Sequence, residues 1–103
     1  MPELKKIFSY EDASALLPEV QRLTSVAVRL VESLDEETAS GEDYQRIVQR
    51  WADGVMSLGI DVKGVWLVDF DNGSGYYCWQ HPEASLQYFH GYEEGFRGRV
   101  RLQ

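Results

Sequence analysis

Cysteine is almost absent: Cys78 stands alone in 103 residues, which excludes an internal disulfide and any Cys-x-x-Cys pair for zinc or redox chemistry. Long apolar runs are missing too. No stretch approaches the roughly 18 to 20 residues that span a bilayer, and Met1 to Lys6 lack the apolar region of a secretory signal. The chain is therefore read as cytoplasmic, without membrane contact. Basic charge is scarce, with 10 Lys and Arg against 17 Asp and Glu and a net charge of −7. That balance disfavours non-specific binding to nucleic acid or anionic lipid. Internal repeats, low-complexity tracts and Pro/Gly/Ser linkers are also lacking, so residues 1–103 are expected to form one domain. What is abundant is aromatic: three Trp, six Tyr and four Phe in a chain 44% hydrophobic. A domain this short buries only about two-thirds of its unfolded surface. Its core must be compact, or completed by a second subunit.

Most aromatics and glycines lie after Asp61, which divides the chain into a mainly helical part (10–58) and a mainly β part (62–102). Ser9 with Asp12 three residues on approximates a capping box, so a helix should start near Tyr10. Pro18 lacks an N–H and crowds the preceding turn, which predicts a short helix and then a restart. From there Val20, Leu23, Ala27, Leu30 and Leu34 form a seam of period 3.5, and Tyr44, Val48, Trp51, Val55 and Leu58 form a second. Two matched seams imply an antiparallel helical hairpin. Gly59 ends the second helix in a left-handed conformation. Val65 to Phe70 reads as a strand, Asp71-Asn72-Gly73-Ser74-Gly75 as a hairpin turn, and Tyr76 to Trp79 as the returning strand. His81-Pro82-Glu83 breaks that strand, and Leu86 to His90 supplies a third. The tail from Gly91 reads as a loop with a short edge strand. The expected fold is α+β, a helical hairpin with a short preceding helix, packed on a small antiparallel sheet of three to four strands.

The succession Phe8-Ser9, Ala13, Leu16-Leu17-Pro18-Glu19, Leu58-Gly59, Val62-Lys63, Leu67-Val68-Asp69-Phe70, Cys78-Trp79, Glu83, His90, Gly95-Phe96 and Gly98-Arg99 resembles the domain-of-unknown-function 2203 family. The likeness runs nearly the whole chain and implies a small bacterial protein of this architecture. It brings no established activity. The chain departs from the family pattern at Gln80, His81 and Pro82, at Phe89 where an aromatic, usually Trp, precedes the histidine, and in a short segment from Asp35 to Glu42.

Cys78, His81, Glu83 and His90 carry metal-ligand side chains within a short stretch, but no familiar spacing such as His-Glu-x-x-His joins them. No metal and no cofactor is therefore expected. Glu83 and His90 read either as an acid/base pair or as groups satisfying backbone at strand ends. Lys63 and Asp69 flank the first strand an even number of residues apart, so alternation should point both to one face with Val65 and Leu67. A charge there needs a partner, and a salt bridge from Asp69 to Arg99 is the structural reading. The functional reading is a polar pocket at one end of the sheet holding Lys63, Asp69, Glu83, His90 and Arg99. Arg97, Arg99 and Arg101 alternate as a solvated edge that resists pairing with another strand. The acids Glu32, Asp35, Glu36, Glu37, Glu42 and Asp43 lack an EF-hand pattern. Cys78 beside Trp79 reads as a small buried apolar residue.

Two function classes follow. The first is a non-enzymatic module acting through self-association, as a homodimer, or through another protein, with no nucleic acid and no catalytic residue. The second is a small-molecule-binding protein or enzyme using the five-residue polar cluster.

Overall fold

The computed structural model describes residues 6–102, and the fold grows from two capped helices. The Ser9 hydroxyl accepts from the Asp12 N–H at 3.0 Å, and α1 runs from Tyr10 to Glu32. The Ser40 hydroxyl and the Asp43 carboxylate exchange bonds with each other's backbone N–H, a full capping box that opens α2, Gly41–Met56. Pro18 corrects one expectation, because α1 passes through it without a break. Its ring lies on the exposed side while Ala13, Leu17, Val20 and Ala27 stay buried along the inner stripe. The continuous apolar contact outweighs one lost backbone bond. Gly59 has φ +85°, the left-handed turn expected there.

The two helices form the hairpin, and its two sides are joined by a polar contact. The Trp51 indole N–H donates to the Thr24 hydroxyl at 2.8 Å, and that hydroxyl donates to the Val20 carbonyl. Each seam is only partly interior: Val20, Ala27, Trp51 and Val55 are buried, whereas Leu30 and Tyr44 are exposed.

The sheet has five antiparallel strands in chain order, more than the three to four expected. They are β1 (Asp61–Gly64), β2 (Leu67–Asp71), β3 (Tyr76–Gln80), β4 (Tyr88–His90) and β5 (Val100–Arg101). The extra strand arises because Val65 and Trp66 form a hairpin turn instead of opening a strand, with Trp66 at φ +61°. A bulky residue adopts that backbone only where its surroundings fix it. Trp66 sits edge-on against Trp51, with ring centroids 4.9 Å apart, and its carbonyl accepts from the His81 N–H. The turn at Asp71–Gly75 is as expected: the Asn72 carboxamide oxygen accepts from the Ser74 and Gly75 N–H groups. Gly75 is required by close packing, since a Cβ there would meet the His90 carbonyl and the Phe89 ring at 2.6 Å each.

Alternation gives the sheet two different faces. Val68, Phe70 and Trp79 point into a core shared with Phe8, Leu17, Val20 and Val55 of the helical side. Asp69, Cys78 and His90 are buried as well, yet they stand apart from that apolar core on the opposite face. Residues 91–99, including a 3-10 turn at Phe96–Gly98, pass over this face before β5. No helix among the described residues is long and apolar enough to cross a membrane.

Candidate polar site on the outer sheet face

Register builds the site. Asp69 of β2 lies directly opposite Cys78 of β3, and Tyr76, two residues before Cys78, lies opposite His90 of β4. Asp69, Cys78 and His90 therefore occupy one face of three adjacent strands, with His90 diagonal to Cys78. Their ligand atoms all lie within 4.8 Å of one another.

His90 Nε2 lies 2.9 Å from Asp69 Oδ2, and His90 Nδ1 lies 2.8 Å from the Gly91 carbonyl. A carbonyl only accepts, so contact geometry assigns the Nδ1 proton as the donor to Gly91. Nε2 then faces the Asp69 carboxylate, the closest charged group to it. The second carboxylate oxygen, Asp69 Oδ1, is buried without a hydrogen-bond partner of ordinary length among the described residues, although the Cys78 thiol lies close enough to Asp69 to interact with it. Burial, followed by the neighbouring Asp69 carboxylate, pushes the Cys78 thiol up to about 12, while the Arg99 guanidinium acts in the opposite direction.

These groups border a cavity of about 420 Å³, with Lys63, Tyr76 and Tyr92 along its wall and Glu93, Glu94 and Phe96 from the overlying loop. Lys63 is held at its edge, with Nζ 4.5 Å from the centre of the Tyr76 ring and 4.0 Å from Asp61. The Tyr92 hydroxyl donates to Asp71 Oδ1 at 2.7 Å, which ties the loop to the strand below.

Glu83 and Arg99 form a separate pair, at 2.9 Å. The Arg99 guanidinium lies 3.9 Å from the centre of the Tyr88 ring and 4.0 Å from that of Phe96, and a second contact brings it 3.9 Å from Cys78 Sγ. Glu83 also accepts from the Gln80 N–H, and its carbonyl accepts from the Trp79 indole.

The five residues singled out in sequence thus lie on one side of the sheet, but with partners exchanged. The Asp69 charge meets His90 and not Arg99, and Glu83 meets Arg99 and not His90. Lys63 and Asp69 do border one cavity, although they belong to two strands of a hairpin instead of one. His81 stands beside the Trp79 ring, away from the cluster. Arg97, Arg99 and Arg101 form no continuous stripe, because the 3-10 turn breaks the extended run and Arg99 is enclosed between two rings. Cys78, grouped in the sequence with His81, Glu83 and His90 as a ligand-type side chain and also read as a small buried apolar residue, is the participant outside the five-residue pocket. Its even spacing from Tyr76 was the available signal, but it decides a face only once strand register is known.

Residues 6–102 match a family model described as an uncharacterized conserved protein (DUF2203). No curated protein and no solved structure matches the chain. The likeness carried by Leu67-Val68-Asp69-Phe70, Cys78-Trp79, His90 and Gly98-Arg99 is thereby confirmed over nearly the full length, and the chain belongs to the DUF2203 family.

Proposed function

We propose that this protein binds a small polar ligand in the cavity between the sheet and the loop at 91–99. One observation carries the reading: the Asp69 carboxylate is 1% exposed, and one of its oxygens has no hydrogen-bond partner among the described residues. An unsatisfied buried carboxylate oxygen is costly, and a ligand that donates a proton or carries positive charge relieves that cost. The cavity volume of about 420 Å³ falls within the usual range for small-molecule sites. His90 and Cys78 supply the remaining polar contacts at its base.

The test is a titration of the ¹⁵N-labelled full chain with a set of small amines, amidines and alcohols, followed by NMR. Shifts concentrated at Lys63, Asp69, Tyr76, His90 and Tyr92, and abolished by Asp69→Asn, are expected. Scattered shifts, or the same response in Asp69→Asn, would remove the proposal.

A second reading is favoured by a different surface. Leu23, Val26, Leu30, Ile47 and Trp51, together with Arg22, Arg46 and Arg50, line a groove between α1 and α2 whose apolar part includes the nearly half-exposed Val26 and Leu30. Two antiparallel helices with outward apolar stripes are self-complementary, so a second copy packed about a two-fold axis would cover the groove as a four-helix bundle. Sedimentation velocity at micromolar concentration should give a dimer that Leu30→Glu converts to monomer. A wild-type monomer would end this reading.

A further inference from the structure

The cavity reading leaves its ligand unspecified, and the donors at its base narrow the choice. We propose that Asp69, Cys78 and His90 form a three-ligand site for a divalent transition-metal ion of the zinc type, with the remaining coordination position open to the cavity. The proposal rests on that cavity being a ligand site.

Thiolate, imidazole and carboxylate are the three side chains that bind zinc, and three protein ligands plus one open position is the arrangement of sites that handle a further ligand. With zinc bonds of about 2.0 to 2.3 Å, a tetrahedron has edges of about 3.3 to 3.6 Å. The three donor atoms lie within 4.8 Å of one another, so closing on an ion requires the 2.9 Å separation of His90 Nε2 and Asp69 Oδ2 to open and any separation near the upper bound to shorten by about 1 Å.

The orientation of His90 is the second observation. Its Nδ1–H is committed to the Gly91 carbonyl, which leaves Nε2 directed at the other two donors. Metal-bound histidines are held in this way, with the distal nitrogen fixed by a carbonyl or carboxylate. Independently of His90, Asp69 Oδ1 is buried without a hydrogen-bond partner among the described residues, and a cation is one group that satisfies such an atom.

A divalent ion displaces the Cys78 thiol proton and any proton lying between His90 and Asp69, leaving neutral imidazole, carboxylate and thiolate, so binding releases protons to solvent. Lys63 and the Arg99 guanidinium, each near one edge of the site, add positive charge that opposes a cation and favours the thiolate. Tyr76 and Tyr92 then flank whatever occupies the open position.

The experiment uses the full chain stripped with EDTA. Equilibrium dialysis against zinc chloride should load one ion per chain. Cobalt(II) should give intense visible bands with a thiolate-to-metal charge-transfer band in the near ultraviolet. Cys78 is the chain's only cysteine, so that band identifies its sulfur without any variant. His90→Gln and Cys78→Ser, checked for native circular dichroism, should lose at least about 100-fold in affinity, at or beyond the upper end of what losing an outer partner costs. His81→Gln should bind as wild type. Absence of saturable one-to-one uptake, cobalt spectra lacking the sulfur band, or folded Cys78→Ser and His90→Gln chains that bind normally would each overturn the metal site. If the amine fragments still shift Asp69 and His90 while metal fails to bind, the metal inference falls and the cavity reading stands. If both fail, both fall.

Discussion

Cys78 sits among charges, yet its thiol is held in the protonated form. Burial and the Asp69 carboxylate both disfavour the thiolate, and Arg99 only partly offsets them. In the metal-free protein at pH 8, an alkylating reagent should therefore leave Cys78 untouched and modify it once the chain is unfolded. Rapid modification of the folded chain would contradict the arrangement. The sign of the pH dependence follows. A thiol whose folded value is raised contributes stability below its ordinary value near 8.5. That contribution is lost as pH rises toward about 12. Urea midpoints of wild type should fall more steeply above pH 9 than those of Cys78→Ala, and parallel slopes would refute the linkage. His90 and Asp69 present a related problem, because removing one member of a buried pair leaves the other uncompensated. His90→Ala should cost about 3 to 5 kcal/mol in chemical denaturation, and a loss below about 1 kcal/mol, typical of an exposed pair, would show that the pair is not buried in solution.

At the scale of elements, α1 contains both a weakness and a fastener. Pro18 lies inside the helix on its exposed side, where it removes one backbone donor without contributing to the core. Pro18→Ala should stabilise the protein by about 1 to 3 kcal/mol, the helix gain being reduced by the looser unfolded chain. An unchanged or lowered thermal midpoint would mean that the ring makes a contact of its own. Thr24 is the fastener, since its hydroxyl is the acceptor for the buried Trp51 indole across the hairpin. Thr24→Val keeps the shape and deletes that acceptor, so it should cost about 1 to 3 kcal/mol for the stranded N–H. Tryptophan fluorescence during urea unfolding would measure it, and a neutral result would show that another acceptor replaces Thr24. The helix seams were legible because apolar spacing reports helical period directly. Thr24 was not, because a threonine between Leu23 and Ser25 looks like any surface position until the partner helix is placed.

Across the whole molecule, the helical and β parts are stitched at several points. The Phe8 N–H donates to the Asp71 carbonyl at 2.7 Å, and its ring meets Phe70 edge-on at 5.4 Å. The Tyr10 hydroxyl donates to the Leu86 carbonyl, and the Gln21 carboxamide donates to the Ala84 carbonyl. These ties lead from the start of the fold and from α1 to the end of β2 and to the loop between β3 and β4. Unfolding should be one cooperative transition, with far-ultraviolet circular dichroism and tryptophan fluorescence giving coincident curves. Phe8→Ala should lower stability by about 3 to 5 kcal/mol without splitting that transition. Two separated transitions would mean that the helical hairpin and the sheet are independent. The α+β order, the capped start at Tyr10, the two helical seams, the left-handed Gly59 and the hairpin turn at Asp71–Gly75 are legible in the chain because they depend on spacing and local backbone preference. Only tertiary structure decided that Trp66 turns the chain, that β1 exists, and that Asp69 takes His90 while Arg99 takes Glu83. Strand register, fixed by packing of the whole sheet, places a side chain beside its partner, and residues as far apart as Asp69 and His90 carry no local sign of that choice.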